Sequence, residues 1–195
     1  MAESVSHASE FASEWGHVRA LRRSEYEQLI RAGAFAHERV ELILGRLVDM
    51  SPIGPEHTFA VHCLYDALAG ALRGRAIVRS QLTIALSDET LPEPDLAVLP
   101  MRADKYVHER PEKFLLLIEV ADSSLGRDMR LKADLYARHG VPEYWVVDLK
   151  AQVVRVHRAL GNGRYGRITE HGRGETIAPE AFADASVVLD EILPR

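Results

Sequence analysis

The chain has 195 residues, 47% of them apolar and 27% charged, with a formal net charge of −5. That length suits one well-packed domain, and the single cysteine, Cys63, excludes an internal disulfide and any cysteine-based metal cluster. Apolar runs such as Phe114 to Ile118 are far too short to span a bilayer. Glu3, Glu10 and Glu14 argue against a secretory signal, so a soluble cytoplasmic protein is expected.

Residues 1–20 mix Ser, Ala, Glu and His without period. They read as a loosely ordered arm, with a short helix at Phe11 to Trp15, ahead of one domain over residues 21–195. Ser24 followed by Glu27 is a capping-box pattern. It opens a predicted helix from Glu25 to Phe35 that buries Tyr26, Leu29, Ile30 and Phe35. Val40 to Met50 alternates around Gly45 and predicts a hairpin with Glu41 on its first arm. After a loop punctuated by Pro52, Gly54 and Pro55, the segment His57 to Leu72 has helical spacing through Val61, Leu64, Tyr65, Leu68 and Leu72. Ala76 to Leu86 alternates as a strand does. Asp95 to Leu99 is a short strand bracketed by Pro94 and Pro100. Leu115 to Ala121 is nearly all apolar, as a central strand covered on both faces should be. Gly126 to His139 predicts a helix ended by Gly140 and Pro142. Tyr144 to Leu149 and Val153 to Arg158 are two further strands, and the Asn162-Gly163 turn lets Tyr165 to Thr169 pair back. This order predicts one α/β domain with a mixed sheet.

Three charged residues sit where apolar ones belong: Asp95, Glu119 and Lys132. Glu119 interrupts the apolar central strand, and a lone buried carboxylate is costly unless paired or bound to a cation. On a wheel of about 100° per residue, Leu131, Leu135, Met129, Ala133 and Tyr136 make an apolar face with Lys132 in its middle. Asp128 lies one turn before it and Tyr136 one turn after, positioned to orient it. Arg130, Asp134 and Arg138 take the solvent side. The plain structural account is a buried ion pair, Lys132 with Glu119 or Asp95. That leaves two acids for one base, and a divalent cation supplies the missing charge. All-oxygen ligands suit Mg2+ or Mn2+. Two carboxylates, a metal and a lysine can bind a phosphodiester, activate water and offset transition-state charge.

Pro94-Asp95 followed by Ile118-Glu119-Val120 resembles the PD-(D/E)XK nuclease superfamily. The longer run IEVADSSLGRDMRLKADLYARHGVPEYWVVD, with VELILGRLVDM upstream, resembles the Uma-two family of restriction-endonuclease-like proteins. The similarity covers residues 22 to 193. It implies the restriction-endonuclease-like fold, a mixed β-sheet flanked by helices in a single domain, and Mg2+-dependent (or Mn2+-dependent) cleavage of phosphodiester bonds. Carried over residue by residue, Asp95 and Glu119 would bind metal, with the Val120 carbonyl as a further ligand and Glu41 completing the shell. Ala121 stands where the superfamily places its lysine; in this family that lysine moves to the next helix, where Lys132 fits. His57 matches a histidine after the Pro-Gly loop and would support the site. Asp122-Ser123-Ser124 departs from the commoner Ser-Pro-Ser.

Other candidates are weaker. Pro94 and the strand pleat should aim Glu93 away from Asp95, and Asp148 reads as a turn residue. The histidines show no metalloprotease spacing; His37, His108, His139, His157 and His171 read as surface or loop residues. Lys150 to Gly174 holds six Lys/Arg and one acid, locally +5. With Tyr165 it forms either a phosphate-tracking hairpin, led by Arg164 and Arg167, or a solvated polar one. The leading expectation is a nuclease acting on nucleic acid, DNA first, as a homodimer because cutting both strands needs two sites. The alternatives are an inactive nucleic-acid-binding or regulatory module on the same fold, and an interaction domain with a structural ion-pair core.

Overall fold

In a computed structural model, which describes residues 19–102, 104, 106 and 110–194, the chain opens with α1 (Arg23–Arg31) and the hairpin β1 (Val40–Ile43) and β2 (Arg46–Asp49). Helix α2 (Pro55–Ala71) and strands β3 (Ala76–Ser80), β4 (Leu96–Pro100) and β5 (Leu116–Ala121) follow. The next helical segment has three parts: α3 (Leu125–Arg127), a π-helical turn (Asp128–Lys132) and α4 (Ala133–Arg138). Strands β6 (Tyr144–Asp148), β7 (Val153–Gly161), β8 (Arg164–Gly172), β9 (Thr176–Ile177) and β10 (Val187–Val188) lead to α5 (Leu189–Ile192). The expected helix at Phe11 to Trp15, and His108, lie outside the described residues.

Strands β3 to β8 form one six-stranded sheet in sequence order. Its β5–β6 pair is parallel and the other pairs are antiparallel. A parallel pair needs a crossover, and residues 125–138 provide it. This explains why all six residues of β5 are buried. Leu116, Ile118 and Val120 face α2 and α5, meeting Leu64, Leu68 and Leu189. Leu117 and Ala121 face the crossover, meeting Ala133, Tyr136 and Val141. Strand alternation therefore turns Glu119 toward the crossover helix.

Several local expectations shift. The first helix begins at Arg23, because the Glu25 carboxylate accepts the Arg22 N–H at 2.9 Å while Glu27 pairs with Arg23. It ends at Arg31, short of the left-handed Gly33 (φ 75°). Tyr26 is buried but Ile30 is exposed. Strand β3 stops at Ser80, since Gln81 adopts φ 48° and leaves the extended path. Residues 82–95 run on as a loop tied down by the Leu91 N–H to Leu42 carbonyl bond of 2.7 Å. At the β7–β8 turn Asn162 and Gly163 take φ 50° and 69°, the pair of left-handed residues that a tight hairpin requires. Both strands extend further than the sequence pattern shows.

His157 is the clearest reversal. It is 1% exposed, its ring 5.4 Å from Tyr144 and 5.6 Å from Tyr165, and its Nε2 has no partner. Burial, aided by Arg155, pushes its pKa down to about 4. Between about pH 6.5 and 4 the unfolded chain binds a proton that the fold refuses, so stability is full above that window and falls as pH drops. Urea unfolding at pH 7 and pH 4.5 should show His157→Leu losing about 2 kcal/mol less than the wild type. Equal losses would remove His157 from the acid response.

Candidate active site

The parts of the site come from separate elements. Glu119 Oε1 accepts hydrogen bonds from Lys132 Nζ at 2.8 Å and from the Tyr136 hydroxyl at 2.7 Å. Lys132 Nζ also stands 3.1 Å from Glu41 Oε1. Glu41 is presented by the β1–β2 hairpin, which Arg127 clasps through the Asp49 carbonyl (2.9 Å) and Ser51 Oγ (3.4 Å). Asp95 lies one residue before β4. Its Oδ2 accepts the Val120 N–H at 2.8 Å, and its Oδ1 lies 3.1 Å from His57 Nε2 at the start of α2. Asp128 Oδ2 accepts the Ser124 hydroxyl at 2.5 Å.

The crossover helix is not the uniform α-helix that its spacing predicts. The π-helical turn at Asp128–Lys132 shifts the wheel: Leu131 swings outward to 36% exposure while Lys132 is 4% exposed. Such a turn inside a helix is uncommon and often marks a functional site. Lys132 and Tyr136, one α-turn apart, then meet on the same oxygen of Glu119. Tyr136 thus supports Glu119 directly rather than orienting Lys132.

The electrostatics are lopsided. One pocket is lined by Glu41, Glu93, Asp95, Glu119, Asp122 and Asp128 against Arg39, Arg127 and Lys132, six acidic side chains to three basic ones. Burial pushes the Glu119 carboxyl well above the usual range, reinforced by Asp95, Asp128 and Glu41 and opposed by Lys132. Burial raises Asp128 as well. Burial alone would lower the Lys132 ammonium, but Glu119, Glu41 and Asp128 together hold it above its ordinary value. Lys132 therefore stays charged at neutral pH.

Whether a divalent cation fits can be tested on the donor set. All-carboxylate oxygens, a surplus of acidic side chains and a buried Glu41 Oε2 without a partner suit a hard cation. Among the described residues, no three His, Cys, Asp or Glu side chains are drawn together as a complete metal cage; the Lys132 ammonium bridges Glu41 and Glu119 instead.

Asp95, Glu119, Lys132, Glu41, Val120, His57 and Asp128 all line this pocket, and Tyr136 lies buried behind it. Glu93 lines it too, against expectation, because Arg39 draws its carboxylate over at 2.9 Å. Nothing in the local spacing marks Arg39 or Arg127; both matter through contacts made only in the fold. Asp148 accepts the Ala151 N–H as a turn residue does, and also pairs with Arg155 at 2.7 Å. The basic window is largely neutralised: Arg155, Arg158 and Arg173 pair with Asp148, Glu143 and Asp190, all outside it or at its border. Arg164 and Arg167 are not brought to the pocket. The registers Leu117↔Tyr144 and Tyr144↔His157 put Arg164 beyond the N-terminal ends of β5 and β6 and Arg167 level with the first residue of β5, whereas Glu119 and Val120 lie toward the C-terminal end. They are exposed on the free edge strand β8, where charge also discourages pairing with foreign strands.

An antiparallel-parallel mixed sheet, a helical crossover and acids converging from β5 and the start of β4 define a nuclease-type fold. A solved structure described as "a putative nuclease belonging to DUF820", from Anabaena variabilis ATCC 29413, superposes with a TM-score of 0.66 over 80% of this chain and 89% of that one, at 15% identity. The chain belongs to the Uma2 family, described as "Putative restriction endonuclease", whose family model matches residues 23–190. The type IIG restriction endonuclease BpuSI shows a weaker likeness, with a TM-score of 0.40 and 17% identity, covering 60% of this chain and 14% of its own. No curated protein matches the sequence. Among the described residues, no helix is long and apolar enough to cross a membrane.

Proposed function

We propose that this protein is a Mg2+- or Mn2+-dependent nuclease that hydrolyses phosphodiester bonds of nucleic acid, DNA foremost. The observation that carries the reading is the convergence of Glu41, Asp95 and Glu119 with a charged, buried Lys132 in one acidic pocket. A cation held by these carboxylates and the Val120 carbonyl would supply positive charge against the phosphate and acidify a water. The chain's own groups do the rest. Lys132 donates to a phosphate oxygen as charge builds on it. The Tyr136 hydroxyl fixes the Glu119 carboxylate, while the Val120 N–H and His57 fix Asp95 from two sides. A homodimer would supply two such pockets for the two strands of a duplex.

One observation favours a non-catalytic, nucleic-acid-binding role on the same fold: Lys132 already partners both Glu41 and Glu119. Cleavage of supercoiled plasmid and labelled oligonucleotides separates the two readings. The nuclease reading expects cutting in millimolar Mg2+ or Mn2+ that stops in EDTA and in Asp95→Asn. A wild type that cuts nothing with either metal supports the non-catalytic role.

A further inference from the structure

We propose that the groove beside this pocket, between α2 and the Ser80–Gln81 end of β3, binds an unpaired nucleic-acid base stacked on Tyr65. The proposal rests on the nuclease reading and names the form of substrate that the site accepts: a single strand or a locally opened duplex.

The pocket itself has a volume of about 40 Å³, room for a few water-sized groups. It takes an ion and phosphate oxygens, so the flanking bases must lie outside it. The adjoining hollow is about 250 Å³ and shares Ile53 and His57 with the pocket. Its helical wall is the stripe Thr58, Val61, His62 and Tyr65, roughly a third of a turn round α2 from the buried Ala60, Leu64 and Leu68. From His57 to Tyr65 the stripe runs about 12 Å, so Tyr65 stands well beyond the scissile position. Tyr65 is 36% exposed and Ile53 is 42% exposed, an aromatic and an aliphatic side chain that the fold leaves partly uncovered.

Two further features select a base rather than another apolar group. Ser80 and Gln81 close the groove with a hydroxyl and an amide, groups able to meet the polar edge of a base while its face lies on Tyr65. Gln81 holds φ 48°, which turns the chain out of β3 at the groove's edge. The groove is also free of carboxylates, whereas the pocket it joins has six. No acid of its own lining therefore faces a strand's phosphates, and Asp95 and Asp66, which adjoin it, are each paired with one of its histidines, His57 and His62, at 3.1 and 3.4 Å. Stacking on one aromatic ring tolerates any base, and a base inside a closed duplex cannot offer its face.

The test uses fluorescence anisotropy of a short fluorescein-labelled single-stranded DNA with the full chain in EDTA, so that binding is read apart from cleavage. Tyr65→Ala should weaken binding roughly tenfold, Tyr65→Phe should stay within about twofold of wild type because it keeps the ring, and unlabelled duplex should compete worse than unlabelled single strand. Tyr65 is exposed, and unchanged circular dichroism of both variants shows that the fold is kept. The proposal is overturned if Tyr65→Ala binds as wild type does, if Tyr65→Phe loses as much as Tyr65→Ala, or if duplex competes equally. Parallel cleavage assays in Mg2+ keep the two readings apart. A wild type that binds through Tyr65 but cuts nothing supports the groove and removes the nuclease. A wild type that cuts, with Tyr65→Ala binding undiminished, does the reverse.

Discussion

Lys132→Met is expected to reduce cleavage about a hundredfold or more, the scale of losing one preorganised transition-state donor, and to destabilise the metal-free fold by roughly 3–5 kcal/mol. The second effect follows from burial. Lys132 is 4% exposed and its ammonium sits between Glu119 and Glu41 at 2.8 and 3.1 Å. Methionine keeps the apolar stem but strands two buried carboxylates. Without the ammonium that opposes it, the Glu119 carboxyl, already above its usual range, is pushed further up and can take up a proton. The stability that protonation restores is present at low pH and lost as pH rises. Urea unfolding should therefore find the variant's deficit larger at pH 7 than at pH 5. Wild-type cleavage by Lys132→Met would remove the lysine from the chemistry, whatever the stability shows.

The second large effect is that of the cation. Saturating Mg2+ or Mn2+, at about 100 times its dissociation constant, should stabilise the wild type by roughly 2.7 kcal/mol, or about 5–10 °C in melting temperature for a chain of this size. In Glu119→Gln the amide keeps an oxygen to accept the Tyr136 hydroxyl but removes the charge, so the metal-induced shift should vanish. Calorimetric titration of both proteins should show the same contrast. A melting temperature that millimolar metal does not move, in well-folded wild type, would leave the pocket as an ion-pair core.

Much of this arrangement can be read from the sequence because it rests on local rule-breaking. A short, nearly all-apolar run reads as a central strand, so Glu119 within it is conspicuous, and Lys132 stands out from the apolar face of the following helix for the same reason. Glu41 is harder: only its resemblance to a family acid singles it out, since a glutamate on a hairpin arm is ordinary. What the sequence hides is set by backbone states and partners distant in the chain. No spacing marks the π-helical turn that moves Leu131 outward, or the left-handed Gln81 that cuts β3 short. Glu93 points into the pocket because of Arg39, over fifty positions away, and His157 is buried by rings from two neighbouring strands. The basic window from Lys150 to Gly174 looks like a binding face in sequence because the acids that pair with it lie mostly beyond its ends.

The pocket borrows side chains from the first hairpin, from α2, from the start of β4, from β5 and from the crossover helix, so no stretch of chain carries it alone. During synthesis Glu41 and Glu119 are made before Lys132, and these two acids acquire their shared ammonium only once residues 125–138 have docked over β5. A chain lacking that helix would leave Glu41 and Glu119 without the ammonium they share. Completion of the site is thus tied to the docking of one helix, and Glu41, Glu119 and Lys132 are brought together in that single step.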